Sequence, residues 1–288
     1  MAIFAENEAQ YFCDRFDSSI GLLNESINNY CRRVTGTSTR MTEGTSKYNE
    51  LRSNLLRNSE RDLILAASNY YSTHRLMVAG FASWAQVTSY YCAFYSARAL
   101  LCMFGIYISA PIIYVDVLNG TIGAQELQIR TNQAAKRNYG AIAPGIYGSH
   151  QIFWDVYYES VRALHPYVIE ADLRLAIIPN NNNKTWLIES RNEVNYDALK
   201  AVDLIRNFDN QFRANSFPAS LPGSLSTQFN LSQAFISLAY KYAKQFRLNT
   251  DALNCLPGRR NLSNKLRRFI FKAKKGIPVA NSMRQSME

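Results

Sequence analysis

One stretch of this 288-residue chain combines residue types and spacing suited to chemistry: Glu189-Ser190-Arg191-Asn192-Glu193-Val194-Asn195-Tyr196-Asp197. In a helix it places Arg191, two carboxamides and a phenol within about one and a half turns. A guanidinium is well shaped to hold phosphate, because it offers several N–H donors in a planar fork and keeps its charge. Asn192 or Asn195 would orient a phosphate or a ribose 2′-hydroxyl beside it. Such a set suits the binding of RNA, or its cleavage without a metal. Cleavage also needs a group that moves a proton near neutral pH, which is why histidine usually has the task. Position 196 is a tyrosine, and a phenol ordinarily titrates near about 10, so as a base it stands in the wrong state unless its site shifts it by several units. Tyr196 could still act as a general acid towards the leaving oxygen, or a second subunit could supply the proton carrier. Arg191, Asn192 and Tyr196 are therefore the candidate catalytic residues, and Asn195 is a candidate RNA contact.

Plainer readings stand beside this one. Glu189 and Glu193 could engage Arg191 in surface ion pairs, which typically contribute under about one kcal/mol. His74, His150 and His165 have no motif spacing to Arg191 and read as surface or structural histidines. The cysteines Cys13, Cys31, Cys92, Cys102 and Cys255 are odd in number, with no CxxC spacing and no nearby histidine pair. They predict reduced, mostly buried thiols and neither a disulfide framework nor a metal site. No glycine-rich phosphate loop is present, and no cofactor is expected.

The net charge of +10 is concentrated, with eight basic residues and no acidic one between Arg259 and Lys275. Within that tail Arg259, Arg260, Lys265, Arg267, Arg268 and Lys272 are candidate RNA contacts, since cations interleaved with Leu266, Phe269, Ile270 and Phe271 suit a phosphate backbone. An anionic membrane surface fits the same pattern, and the RNA-like motif elsewhere decides for nucleic acid. The first twenty residues carry Glu6, Glu8, Asp14, Arg15 and Asp17 where a signal peptide has an apolar core, so a cytoplasmic protein is expected. The longest uncharged run, Val78 to Ala97, is too rich in Ser, Thr, Tyr and Gln for a membrane span and predicts a buried helix.

The elements that must position the motif are mostly helical. Phe12, Phe16, Ile20, Leu23, Ile27 and Tyr30 mark one face of an amphipathic helix over 5–33 that ends at Gly36. A second helical run begins near Ser46 and continues to Tyr71, with a break expected at Asn58-Ser59, where Ser59 could cap a fresh start. Ser83 to Met103 is apolar or aromatic almost all round and predicts the best-covered helix of a bundle, ended by Gly105, with its tyrosines in the core. Residues 106–117 are β-branched and aromatic with Pro111 among them, suggesting short extended segments or an edge hairpin, and 119–150 read as irregular. Helices are expected over 151–164, from Asp197 to Phe212 and over 225–246, and Pro179 to Lys184 as an exposed loop that delivers the chain into the motif.

Two stretches together carry a family resemblance. Ala85 to Leu101, with Tyr90, Tyr91, Tyr95 and the Ala97-Arg98-Ala99-Leu100-Leu101 ending, resembles the tyrosine-rich helix of HEPN domains. Arg191 to Ala198, followed by an amphipathic segment, is similar to that family's second landmark, in which an arginine, a polar residue and three more precede a histidine or, in many members, a tyrosine. The resemblance covers roughly Leu63 to Phe212. It implies a mainly α protein, an antiparallel helical bundle of HEPN type with an irregular, partly extended insertion at about 106–150. N-terminal helices at 1–57, a bundle at 58–250 and a basic tail at 251–288 complete the expected organisation. The resemblance further implies dimerisation that brings two motifs together, and metal-independent RNA cleavage in a toxin–antitoxin or antiphage defence system, with an antitoxin or defence-system protein as a further partner. The alternatives are a non-catalytic partner-binding module acting as a regulator or adaptor, and a domain that binds a small nucleotide.

Overall fold

Asn58 and Ser59, where the sequence suggests a helix break, lie inside one continuous helix. The computed structural model describes residues 3–16, 26–34, 38–109, 113–131, 149–164, 186–197, 199, 201–202 and 223–248. Within them the elements are α1 (Glu6–Asp14), α2 (Ile27–Val34), β1 (Ser38–Thr42), α3 (Ser46–Val78), α4 (Ala82–Met103), β2 (Tyr107–Ser109), β3 (Ile113–Asn119), β4 (Glu126–Thr131), α5 (Ser149–Leu164), α6 (Trp186–Tyr196) and α7 (Gly223–Gln245). The described chain is thus mainly helical with one small antiparallel sheet. Ser59 does not cap a new helix because its hydroxyl is buried and donates to the Ala99 carbonyl at 2.9 Å, while Asn58 reaches Cys102 Sγ at 3.7 Å. Two polar side chains that looked like a break instead satisfy a neighbouring helix.

Local chemistry sets the helix ends. Thr45 Oγ1 accepts the Tyr48 amide at the start of α3. At its end the Gly80 and Phe81 amides return to the Met77 and Leu76 carbonyls, with Gly80 at φ +83°. Gly105 closes α4 in the same way at φ +80°, and there a side chain has no room either: a Cβ would sit 2.6 Å from the Phe4 ring.

The chain divides into two units. The first gathers the described residues of 1–61, 98–169 and 242–249. Its helical core contains Phe4, Phe12, Tyr48, Phe104, Tyr242 and Phe246, all fully buried, with Phe104 meeting Tyr242 and Phe246 edge-on at 5.4 and 5.7 Å. The sheet runs in the order β1-β4-β3-β2. Met41, Tyr107, Val115, Val117, Leu127 and Ile129 are its buried apolar positions. Arg40, Asp116, Gln128 and Arg130 alternate with them on the other face, as the two-residue period of a strand requires. β1 lies where the sequence suggests only a helix stop, and β4 lies within the stretch read as irregular. Of Thr39, Arg40, Met41 and Thr42 only Met41 is buried, so an edge strand of this kind carries almost no apolar alternation to read. The turn before β4 is tied down by Gln125, which is fully buried. It accepts from the Tyr48 hydroxyl at 2.7 Å, donates from Nε2 to the Glu8 carbonyl at 3.0 Å, and donates its amide to Glu43 Oε2 at 2.9 Å.

The second unit gathers the described residues of 62–97, 170–241 and 250–288. Here the later part of α3 meets α4 through Thr73 and Thr88, whose hydroxyls are 2.8 Å apart, and meets α7 through Tyr70, which stacks on Phe229 at 5.7 Å and accepts from Gln233 at 2.9 Å. Met77, Ala82, Ala85 and Phe229 form a core cluster against which Tyr70, Leu76 and Val194 pack. α4 is not covered all round, as its sequence suggests. Ala85, Gln86, Ser89, Tyr90 and Cys92 are buried, but Trp84 is 61% exposed and Tyr91 and Tyr95 are only half-buried. No helix among the described residues is long and apolar enough to cross a membrane.

Candidate functional site

The Arg191 stretch does not start a helix, because α6 begins five residues earlier and carries it in its second half. α6 stops at Tyr196, and Asp197 starts the next helical turn. Its carboxylate accepts the Leu199 amide at 3.0 Å and its carbonyl accepts the Ala201 amide at 3.0 Å, the arrangement of an N-cap. The helix expected from Asp197 thus begins as read. Its apolar side, however, is not buried at this end, with Leu199 79% and Val202 42% exposed, and 203–222 lie outside the described residues.

A buried polar network fixes α6. Gln86 on α4 donates from Nε2 to both the carbonyl and the hydroxyl of Ser190, at 2.9 and 2.7 Å. Ser190 Oγ donates to Gln228 Oε1 on α7 at 2.7 Å, and Gln228 Nε2 donates to the Gln86 carbonyl at 2.8 Å. Ser89 Oγ lies 3.2 Å from the Gln228 carbonyl and 3.1 Å from Ser232 Oγ. Small residues at 82, 85, 89 and 92 let the helices approach closely enough for these hydroxyls to reach opposing groups. Gln86 Oε1 is buried and has no hydrogen-bond partner among the described residues. With Ser190 beside Gln86 and Val194 against the cluster holding Ala82 and Ala85, α6 runs antiparallel to α4.

One turn of this frame presents the arginine. The Arg191 guanidinium lies over the Tyr90 ring, 5.0 Å from its centroid, a cation–π contact whose strength grows as water is excluded. Its Nε and Nη2 both donate to Asn192 Oδ1, at 3.1 and 2.6 Å. Three of the five guanidinium N–H donors then have no partner among the described residues. No described carboxylate pairs with Arg191, so neither Glu189 nor any other described acid neutralises it. Arg191 and Asn192 are both partly exposed. An anion could therefore reach a guanidinium whose plane is already set by a ring on one side and a carboxamide on the other.

Tyr196 is not part of this arrangement. Five residues along a helix turn the side chain about 140° away from Arg191, and Tyr196 is 81% exposed. Within one chain, then, the phenol does not converge on the guanidinium. Asn195 is exposed at the next-to-last position of α6. His74 on α3 and His150 on α5 are partly buried, and His165 lies outside the described residues. So do Arg259, Arg260, Lys265, Arg267, Arg268 and Lys272 of the basic tail. Cys13, Cys31, Cys92 and Cys102 are buried and form no disulfide among the described residues, and burial pushes the Cys13 and Cys92 thiols well up, while Cys255 lies outside the described residues. Among the described residues no three His, Cys, Asp or Glu side chains gather as a metal site would need.

No protein-family model, curated protein or solved structure matches the chain.

Two features of the site escape a reading of the sequence. Gln86 and Gln228 looked like incidental polar residues in apolar helices, yet they hold α6. For Gln86 the available signal was the small, buried Ala82, Ala85 and Ser89 around it. The exposed rings of Phe81 and Trp84 follow directly on the Gly80 helix stop, although Ala82 and Ala85 beside them are fully buried.

Proposed function

We propose that the chain is an RNA-binding protein of HEPN type, acting in a toxin–antitoxin or antiphage defence system, in which Arg191 and Asn192 hold a backbone phosphate. The observation that carries this reading is the contact between Arg191 and Tyr90. The two stretches on which the resemblance rests lie about a hundred residues apart, and they meet through a guanidinium that keeps donors for a ligand. A preset planar cation is what phosphate recognition calls for. The basic tail, with Arg259, Arg260, Lys265, Arg267, Arg268 and Lys272, adds sequence-independent attraction for the same polyanion.

Cleavage is the narrower proposal. It requires a second copy of the chain, or another partner, to bring a proton carrier to the Arg191 phosphate, because Tyr196 points elsewhere on its own helix. The same placement favours the alternative of a non-catalytic binding module. Gel-shift titration of a single-stranded RNA against the purified protein, over a series of salt concentrations, tests the binding reading. Arg191→Ala is expected to weaken binding and make the plot of log affinity against log salt shallower by about 0.7, the value for one lost phosphate contact on a single strand. Unchanged affinity and slope would sink it. Incubation of the same proteins with total RNA in EDTA separates the two forms, since cleavage that Arg191→Ala abolishes marks the nuclease and binding without cleavage marks the module.

A further inference from the structure

Two helices of the first unit repeat one arrangement. On α1 the Arg15 guanidinium lies over the ring of Tyr11, four residues earlier, at 4.9 Å from its centroid. On α3 Arg52 lies over the ring of Tyr48, again four residues earlier, at 5.8 Å. Both phenols are tied to one turn: Tyr11 donates to Glu43 Oε1, Glu43 Oε2 accepts the Gln125 amide, and Gln125 Oε1 accepts from Tyr48. Phe12, the residue after Tyr11, meets the Tyr48 ring edge-on at 6.4 Å and so sets the two helices against each other. The two cations act on common groups. Both pull the Tyr11 phenol down, against the larger upward push of its bond to Glu43. Burial lowers the pKa of Arg52, Tyr48 and Glu43 raise it, and Arg15 lowers it again. Arg52 is 7% exposed, yet its hydrogen bonding is incomplete. Its Nη2 donates to Asn49 Oδ1 at 2.9 Å, while its Nε is buried and has no partner among the described residues. Neither arginine is paired with a carboxylate among the described residues.

We infer that Arg15, Asn49 and Arg52 bind a phosphate group, either the free ion or that of a small phosphomonoester. Neither arginine lies in the stretches that resemble HEPN domains, so this site stands or falls without the RNA reading. The groups left over at the site are donors: the Arg52 Nε, the Arg15 fork, and the Asn49 Nδ2, whose own oxygen is already engaged by Arg52. They call for a ligand that only accepts. Two cations stand against one carboxylate, Glu43, both oxygens of which are held by Tyr11 and the Gln125 amide. The neighbouring acids are turned aside, Asp14 by about 100° round α1 from Arg15 and Glu50 by about 200° round α3 from Arg52. That balance favours a dianion over a monoanion, and the oxygens of a phosphate suit a guanidinium fork. Arg15 is exposed and meets the ligand in water. Arg52 binds it more strongly, because an ion pair gains where the dielectric is low. The two rings hold both guanidinium groups in place beforehand. An uncompensated buried cation is costly to keep, and a bound anion removes that cost.

The test is isothermal titration of the full chain with inorganic phosphate, with AMP and with adenosine, at constant ionic strength set by chloride, for Arg15→Gln, Arg52→Met and Arg191→Ala. Arg15 is exposed, so Arg15→Gln should fold, which circular dichroism melting checks. It is expected to weaken phosphate binding about tenfold or more, the loss typical of a hydrogen bond to a charged group. Arg52→Met should abolish binding. Without phosphate it should also melt at a higher temperature than the unaltered chain, since an apolar side chain replaces an idle buried charge. Arg191→Ala should bind phosphate as the unaltered chain does. AMP binding with adenosine silent assigns the site to a phosphomonoester, and binding of inorganic phosphate alone assigns it to the free ion. Phosphate affinity that is unchanged in folded Arg15→Gln, or that is lost only in Arg191→Ala, overturns the site. So does an unaltered chain that binds neither phosphate nor AMP.

Discussion

Each unit contains a buried polar network, and the two are turned to different uses. In the first unit, Tyr48, Gln125, Glu43 and Tyr11 form a closed chain, in which the Tyr11 hydroxyl donates to Glu43 Oε1 at 2.6 Å and the Glu43 amide returns to the Gln125 carbonyl at 2.8 Å. Burial drives the Tyr48 phenol far up, so it stays a neutral donor. This network joins α1, α3 and the turn before β4. In the second unit, Gln86, Ser190 and Gln228 hold α6 from behind, and the same helix presents the partly exposed Arg191 on another side. Exposure of large apolar residues follows the same division. Leu118 and Ile122 are the exposed ones in the first unit, against Leu65, Phe81, Trp84, Tyr196, Leu199 and Val202 in the second. Comparable polar chemistry thus closes a fold in one place and supports a working surface in the other.

Three changes should break or sharpen that contrast. Phe104→Ala in the first unit empties a fully buried site between Tyr242 and Phe246 and should cost about 3–5 kcal/mol in denaturant unfolding. RNA affinity measured under folding conditions should hardly change, and a large loss there would mean that the first unit also contacts the ligand. Gln86→Ala should cost less, about 1–3 kcal/mol, because the Ser190 carbonyl and hydroxyl lose their donor inside the core. Unlike Phe104→Ala it should also weaken RNA binding, since it frees the helix that presents Arg191.

The smallest effect belongs to Asp116. Burial raises this carboxyl to about 6, against the partial opposing pull of Arg130 at 3.3 Å. Because its folded value lies above the unfolded value of about 3.9, the folded state binds the proton more tightly. Its contribution to stability is therefore fully present below pH about 4 and is lost as pH rises through about 6. Asp116→Asn should flatten stability across that window without altering RNA affinity. A persisting slope would assign it to another group.

The sequence was informative where one residue type meets one demand. Gly80 and Gly105 end α3 and α4 because each takes a positive φ, and the small buried positions of α4 are visible as alanines, serines and cysteines. It misled where a side chain serves a distant partner. Ser59 looked like a cap and bonds to Ala99, forty residues away. Trp84 and Leu199 looked like core, since an apolar ring has the same appearance in a sequence whether a neighbour covers it or not. Arg191 and Asn192 stood out as candidate phosphate ligands from residue type alone, but Tyr90 as the ring beneath the guanidinium did not, because the contact depends on how α6 packs on α4. The turn of Tyr196 away from Arg191 could have been computed from the five-residue spacing once the stretch was known to be helical to its end.

Asp197 follows the last residue of α6 and caps the turn that comes next. Tyr196 therefore sits on a corner whose backbone is held from both sides, the last residue of α6 next to a capped turn. A ring in water normally surrenders backbone as well as rotamer freedom when it takes up a partner. Here the backbone share has already been given up in folding, leaving two side-chain torsions to settle on contact. The corner thus makes an exposed side chain comparatively inexpensive to immobilise. By the same reasoning Asp197→Gly, which removes the cap and loosens the backbone, acts on Tyr196 through entropy without touching its ring.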